Sequence, residues 1–222
     1  MLRINQSTSS AQAKSYYSTA DYYLGDHELP GTWHGKGAAR LGLSGDVTRE
    51  HWEALCDNLD PVTGNRLTPR TKKDRRVGYD CTFNVPETVS LLYALPGDVP
   101  LVDAFRDNVE ETMQDVEAEM KARVRIKGAN SDRVTGEAAW GTFIHFTGRP
   151  ENGLPDPHLH AHSYVFNTTW DKHESRWKAG QFGDLKRDGP YFEALFHARM
   201  AERLVKLGLP IERTKEGYDI AG

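Results

Sequence analysis

Apolar and polar residues alternate strictly from Val77 to Phe83. Val77, Tyr79, Cys81 and Phe83 fall on one side, with Gly78, Asp80 and Thr82 on the other. A two-residue period of this kind predicts a strand with one buried face. Lys121 to Lys127 alternates too, with Lys121, Arg123, Arg125 and Lys127 opposite Ala122, Val124 and Ile126. Further strands are predicted over Ala138 to Phe146, His158 to Asn167 and around Trp177, with a hairpin from Pro210 to Arg213 and Gly217 to Ile220. Between the strands the period lengthens. Phe105, Val109, Met113, Val116 and Met120 recur at helical spacing, so a helix is predicted from about Pro100 to Lys121. Phe192, Phe196, Met200, Leu204 and Leu207 give a second stripe, started by Pro190 and stopped by Gly208. Shorter helices are predicted after Thr48, burying Trp52, Leu55, Cys56 and Leu59, after Pro86, and over Ser9 to Tyr23 with a break near Ser18 and Thr19. The stretch from Leu24 to Gly45 reads as a Gly/Pro-rich surface loop, and residues 61–76 as an exposed basic loop.

Strands joined by short turns point to an α+β fold with a mostly antiparallel central sheet and helices packed on one face. The other face is then open and polar, and Asp80, the basic row and the histidines are expected on it.

Composition narrows the class. With 222 residues, 38% hydrophobic and 27% charged, the chain is one globular domain and not a disordered tail. It has no apolar run of about 18 residues for a membrane span and no apolar stretch near its start for a secretory signal. The two cysteines, Cys56 and Cys81, form no disulfide framework and fit a reducing cytoplasm. A net charge of -4 argues against holding nucleic acid by bulk charge alone, though local basic patches exist. Arg66, Arg70, Lys72, Lys73, Arg75 and Arg76 lie in one short stretch, and the strand row adds Lys121, Arg123, Arg125 and Lys127. Such runs are either solvated surface or phosphate contacts for a single strand.

The histidines carry the sharpest chemistry. In Pro157-His158-Leu159-His160-Ala161-His162, positions 158, 160 and 162 share one side of a strand. Two imidazoles so spaced can bind one metal ion, and His145 on the preceding strand is a natural third ligand. Three neutral imidazoles suit Zn, Mn, Ni or Cu; Mg fits less naturally, unless substrate phosphate oxygens complete its shell. The bland alternative is a surface histidine cluster. Four of the nine tyrosines stand at 16, 17, 22 and 23. A phenol with a pKa of about 10 attacks poorly unless the phosphate is polarised and a carboxylate or imidazole takes the proton. Alone, the tyrosine pairs read more readily as ordinary helix-face packing. Together with a three-histidine site they are the pattern of a metal-assisted DNA transesterase.

The two tyrosine pairs, the segment Trp33 to Gly45, the block GYDCTFNVPETVSLL from Gly78 to Leu92, His145 and the PHLHAH strand resemble the N-terminal relaxase domain of MobF-type conjugative proteins, in the HUH endonuclease superfamily. The resemblance covers essentially the whole chain. It implies the HUH relaxase palm, which is RRM-like or ferredoxin-like. It implies metal-dependent, site- and strand-specific DNA nicking and strand transfer at a conjugative transfer origin, through a 5′-phosphotyrosine. Tyr16, with Tyr17, would supply the nucleophile, and Tyr22 with Tyr23 a later transfer. His145, His160 and His162 would hold one divalent ion (Mg, Mn, Zn or Ni), with Asp80 orienting a histidine or taking a proton. Arg70, Lys72, Lys73, Arg75, Arg76, Arg123 and Arg125 would bind DNA. The implied partners are single-stranded DNA at an origin of transfer, accessory relaxosome proteins and a helicase, with no membrane and a bacterial cytoplasmic location. The chain is expected to be a single relaxase domain over 1–222, short at its C-terminal end relative to the family and without the helicase domain, since it has no Gly-x-x-x-x-Gly-Lys-Ser/Thr loop. It departs from the family pattern at His158, where Gln is usual, at Thr147 for an acidic residue, and at Glu87 for Lys. The alternatives are a rolling-circle replication initiator, a non-catalytic single-strand-binding module of the same fold and, less fitting, an unrelated zinc hydrolase.

Overall fold

The structure, a computed structural model, describes residues 2–7, 9–14, 30–69, 75–94, 99–148, 155–215 and 217–221. Its centre is a five-stranded sheet in the order β1-β3-β7-β6-β2, with every neighbouring pair antiparallel. The strands are β1 (Leu2–Ser7), β2 (Thr32–His34), β3 (Gly78–Asn84), β6 (Trp140–Thr147) and β7 (Pro157–Phe166). Three small ribbons stand apart: β4 (Lys121–Ile126) with β5 (Ala129–Val134), β8 (Thr169–Asp171) with β9 (Arg176–Lys178), and β10 (Ile211–Arg213) with β11 (Tyr218–Ile220).

The long helices lie on one face of the sheet, as the sequence pattern predicts. These are α4 (Val99–Ala118) and α6 (Gly189–Lys206), accompanied by α3 (Glu87–Ala94) and the short α5 (Gly183–Arg187). Tyr79, Cys81 and Phe83 of β3, Trp140, Ile144 and Phe146 of β6, and Leu159, Ala161 and Val165 of β7 meet the α4 and α6 stripes in the main core. Asn108 of α4 is fully buried and donates from Nδ2 to the Phe196 carbonyl of α6 at 2.9 Å. That hydrogen bond satisfies a polar donor which burial alone would penalise.

The opposite face is not uniformly open. Over one end of it lie α1 (Lys36–Arg40) and α2 (Arg49–Cys56). Trp33, Trp52, Phe143, Tyr164 and Phe166 fill a second core there, with Trp52 fully buried. The Trp52 ring centre is 5.5 Å from that of Phe143, 5.1 Å from Tyr164 and 4.9 Å from Phe166. Gly78 is required beneath it: a Cβ would stand 2.4 Å from the Tyr164 ring and 2.6 Å from the Val165 carbonyl.

Several expectations change. The stretch read as a surface loop from Leu24 to Gly45 contains β2 and α1, and its Trp33, Ala38, Leu41 and Leu43 are buried. The N-terminal segment forms β1, which was not foreseen. Residues 128–137, where no strand is predicted, include β5. The basic row Lys121, Arg123, Arg125 and Lys127 does not share the histidine face, because β4 pairs with β5 outside the central sheet. Within residues 61–76, Leu67 and Thr68 are buried.

Candidate metal and nucleic-acid site

The site grows from the register of three strands. His145 of β6 stands directly opposite His160 of β7, and Phe143 opposite His162. On the other side of β7, Thr82 of β3 is opposite His162 and Asn84 opposite His160. Directly opposed residues of an antiparallel pair share a face, so three imidazoles, Thr82 and Asn84 crowd one patch. Asp80, two residues before Thr82, points to the same side.

The rings form a nearly equilateral triangle. Ring centres of His145 and His160 are 5.1 Å apart, those of His160 and His162 5.2 Å, and those of His145 and His162 5.6 Å. An ion about 2.0–2.1 Å from one nitrogen of each ring, with near-tetrahedral angles, sets ring centres roughly 5 Å apart. As they stand, no three His, Cys, Asp or Glu side chains among the described residues have their donor atoms gathered closely enough to hold an ion. The ring-centre spacing is that of a three-imidazole site, while the donor atoms in this arrangement do not converge on one point.

Hydrogen bonds and burial prepare the rings as ligands. His162 Nδ1 lies 2.9 Å from Asp80 Oδ2 and 3.2 Å from Oδ1, and His160 Nδ1 lies 2.8 Å from the His158 carbonyl. Each Nδ1 then carries the proton toward its acceptor, leaving Nε2 with the lone pair a metal needs. Thr82 Oγ1 donates to Asp80 Oδ2 at 3.2 Å. Burial, reinforced by the neighbouring imidazoles, pushes His145 down to about 3. His160 is likewise pushed down, by burial first, to about 4. Both rings are thus neutral near pH 7, the form that ligates. The His158 ring stacks on His160 at 4.6 Å, at the outer end of the row. The register between β6 and β7 shifts between His145 and Thr147.

The other expected residues divide. Tyr16, Tyr17, Tyr22 and Tyr23 lie outside the described residues, as do Arg70, Lys72 and Lys73. Arg75 is half-buried and donates to the Cys56 carbonyl, and burial lowers its pKa, so it serves the packing around α2. Arg76 is exposed at the start of β3. Arg123 and Arg125 are exposed on the β4–β5 ribbon, where Arg123 Nε is 3.5 Å from Asp132 Oδ1 and Arg125 Nε donates to the Gly128 carbonyl at 3.2 Å.

Two residues on the histidine face escaped the sequence reading. β1 pairs with β3 so that Arg3 is opposite Thr82 and Asn5 opposite Asp80. Both are exposed and extend the polar row across the sheet. The short alternation Leu2-Arg3-Ile4-Asn5 was the available signal.

Known proteins resemble this chain over nearly its whole length. The TrwC relaxase family model matches residues 10–222. The multifunctional conjugation protein TraI of Escherichia coli strain K12 is 30% identical over 222 residues, covering 96% of this chain but 12% of TraI. The chain thus spans a small fraction of that relative's length. The metal-bound structure of the conjugative relaxase TrwC with oriT DNA superposes with a TM-score of 0.87 at 32% identity, over 100% of this chain and 75% of that one. TrwC complexed with a 27-mer DNA comprising the recognition hairpin and the cleavage site gives a TM-score of 0.84, over 100% of this chain and 75% of that one, at 30% identity.

Proposed function

Because the chain belongs to the TrwC relaxase family, we propose that it nicks one DNA strand at a conjugative transfer origin and keeps the 5′ end as a phosphotyrosine. The observation that carries this reading is the triangle of His145, His160 and His162 with Asp80 bonded to one corner. His145, His160 and His162 would hold a divalent ion. Such an ion, when bound, neutralises charge on the non-bridging oxygens of the scissile phosphate. Metal-bound and oriT-bound TrwC support both the cofactor class and the DNA partner.

The step itself balances simply. The Tyr16 phenol oxygen bonds to phosphorus, the bond to the 3′ oxygen breaks, and a free 3′ hydroxyl leaves. The phenol's proton passes to a base, and the leaving oxygen takes up a proton. Asp80 acts mainly through His162, fixing its tautomer and ring plane. The reverse reaction rejoins the strand without an outside energy source, since the ester conserves the bond. Tyr17 is the alternative nucleophile of the first pair, and Tyr22 and Tyr23 serve a second transfer.

DNA is held beside this centre by basic side chains. Arg76, at the head of β3, and Arg70, Lys72 and Lys73, just before it in sequence, contact the strand near the cut. Arg123 and Arg125 ride on a two-stranded ribbon, which is an element a major groove about 12 Å wide admits. They therefore contact duplex flanking the nick. Accessory relaxosome proteins and a helicase act alongside the domain, a single relaxase unit. Among the described residues no helix is long and apolar enough to cross a membrane, and the proposed site of action is the bacterial cytoplasm.

An oligonucleotide carrying the nick site, incubated with Mn or Mg, is expected to give a protein–DNA adduct that survives SDS. Tyr16→Phe should abolish or strongly reduce it. An undiminished adduct in the variant with Phe at 16, 17, 22 and 23 would overturn the chemistry. Strand binding indifferent to chelator, with no adduct in the wild type, would instead mark a non-catalytic binding module.

A further inference from the structure

A single carboxylate joins the segment ahead of the tyrosine pairs to the body of the protein. Residues 10–14 are helical. Ser9 starts the turn, its Oγ accepting from Gln12 N at 3.1 Å and its carbonyl from Ala13 N at 3.1 Å. Ala13 is fully buried in the second core, and Trp52 Nε1 donates to its carbonyl at 2.9 Å. Beside it, Asp57, just past the end of α2, uses both oxygens. Oδ1 accepts from Ser10 Oγ at 2.6 Å and Oδ2 from Lys14 Nζ at 2.6 Å. Helix-start and helix-end side chains are therefore gripped by one group, and the backbone between them by another.

The place of this clamp matters as much as its contacts. Trp52 packs on Phe143 and Tyr164, and Phe143 is the register partner of His162. Through Trp52 the clamped turn thus joins the second core, whose Phe143 borders the histidine patch on the same face of the sheet. Tyr16 follows Lys14 by two residues, a reach of at most about 7 Å along the chain. A partly exposed ion pair adds little to folding. The same pair is well placed to fix where the following residues emerge.

From this we infer that Asp57 is a positioning residue for strand cleavage: together with Ser10 and Lys14 it sets the point from which the tyrosine-bearing segment departs. The inference rests on the nucleophile reading above. Misplacement of a reacting group by about 1 Å can cost on the order of 100-fold in rate.

The test is single-turnover adduct formation on the cognate oligonucleotide, with oligonucleotide affinity measured separately. Asp57→Ala should slow the chemical step by roughly 10- to 100-fold while leaving affinity unchanged. Should that variant fold poorly, the Ser10→Ala/Lys14→Met double variant removes the same contacts from the other partner. The swapped pair Lys14→Asp/Asp57→Lys should recover much of the rate, which a bulk loss of stability would not allow. A wild-type rate in Asp57→Ala, alongside an inert Tyr16→Phe, overturns this inference and leaves the nucleophile reading intact. So does a loss that merely tracks affinity or the folded fraction. Wild-type adduct formation by the variant with Phe at 16, 17, 22 and 23 overturns both.

Discussion

Strands β6 and β7 present the same face to two different environments. At one end Phe143, Tyr164 and Phe166 lie under Trp33 and Trp52, dry and closely packed. At the other end His145, His160 and His162 line a patch that no helix among the described residues covers. The two ends meet where Phe143 faces His162 across the pair. Alternation along a strand decides which side chains share a face, but only the covering elements decide whether that face becomes core or site. Here α1, α2 and the turn at residues 10–14 cover one half and stop short of the other. The aromatic half is a foundation against which the polar half is held in register.

The comparison breaks most visibly at Trp52. Replacing a fully buried tryptophan with alanine removes its packing on four rings and its bond to the Ala13 carbonyl. Trp52→Ala should cost about 3–5 kcal/mol, read from urea unfolding midpoints. His160→Ala, on the histidine half, should cost about 1 kcal/mol or less. Equal losses at the two positions would mean that the halves are one continuous core.

A ligand sharpens the contrast. An ion that binds only the folded protein stabilises it by about 2.7 kcal/mol at 100 times its dissociation constant. Mn or Ni should therefore raise the thermal midpoint of the wild type and leave that of His160→Ala unmoved. A rise of equal size in both would place the ion away from the imidazole triangle.

Much of this division was legible in the sequence, and its gaps have physical causes. The β3 and β7 faces follow from strict alternation, since each strand buries one side against long helices. Asp80, His145, His160 and His162 lie near one another because neighbouring strands carry them in register. The aromatic half was not foreseen. The residues that cover it lie in a Gly-rich stretch whose apolar positions, Trp33, Ala38, Leu41 and Leu43, follow no single period. Gly35 and Gly37 permit the close approach, since a Cβ on either would stand 2.3 and 2.6 Å from the Ala138 carbonyl. The basic row on β4 was assigned the right period and the wrong sheet, because alternation does not name a strand's partner. β5 has no apolar alternation to read, being mostly exposed. The Asp57 contacts join residues 47 and 43 positions apart, beyond any local pattern.

A smaller effect is expected at Asp80, which supports the histidine half from behind. Asp80→Asn keeps the shape and removes the charge that faces His162 Nδ1. Outer partners of metal-bound histidines are worth about 10- to 100-fold in metal affinity. Titration of the variant with Mn or Ni should show a loss of that size, with the urea midpoint nearly unchanged. Unaltered affinity would reduce Asp80 to a proton acceptor or a structural group.

The smallest effect belongs to the seam between the halves, where Lys14 meets Asp57. Hydrogen bonding to Asp57 raises the Lys14 pKa. Desolvation pulls the Asp57 carboxyl upward, but the bonds from Lys14 and Ser10 outweigh it and hold the group below its usual range. A depressed carboxyl stabilises the fold above its unfolded pKa, about 3.9, and that share is lost as pH falls through the folded value. A raised amine stabilises below about 10.4 and loses its share as pH rises through the folded value. The pair is therefore at full strength between roughly pH 4 and 10. Because both side chains are substantially exposed, solvent screening limits it to about 0.2–1 kcal/mol. Lys14→Met should lower stability by that amount at pH 7, and the gap to wild type should shrink as pH falls below about 3.9 and through the depressed value of Asp57. A gap that persists in acid would assign the loss to packing of the lysine stem rather than to charge, and would put the hold on this turn in the aromatic half alone.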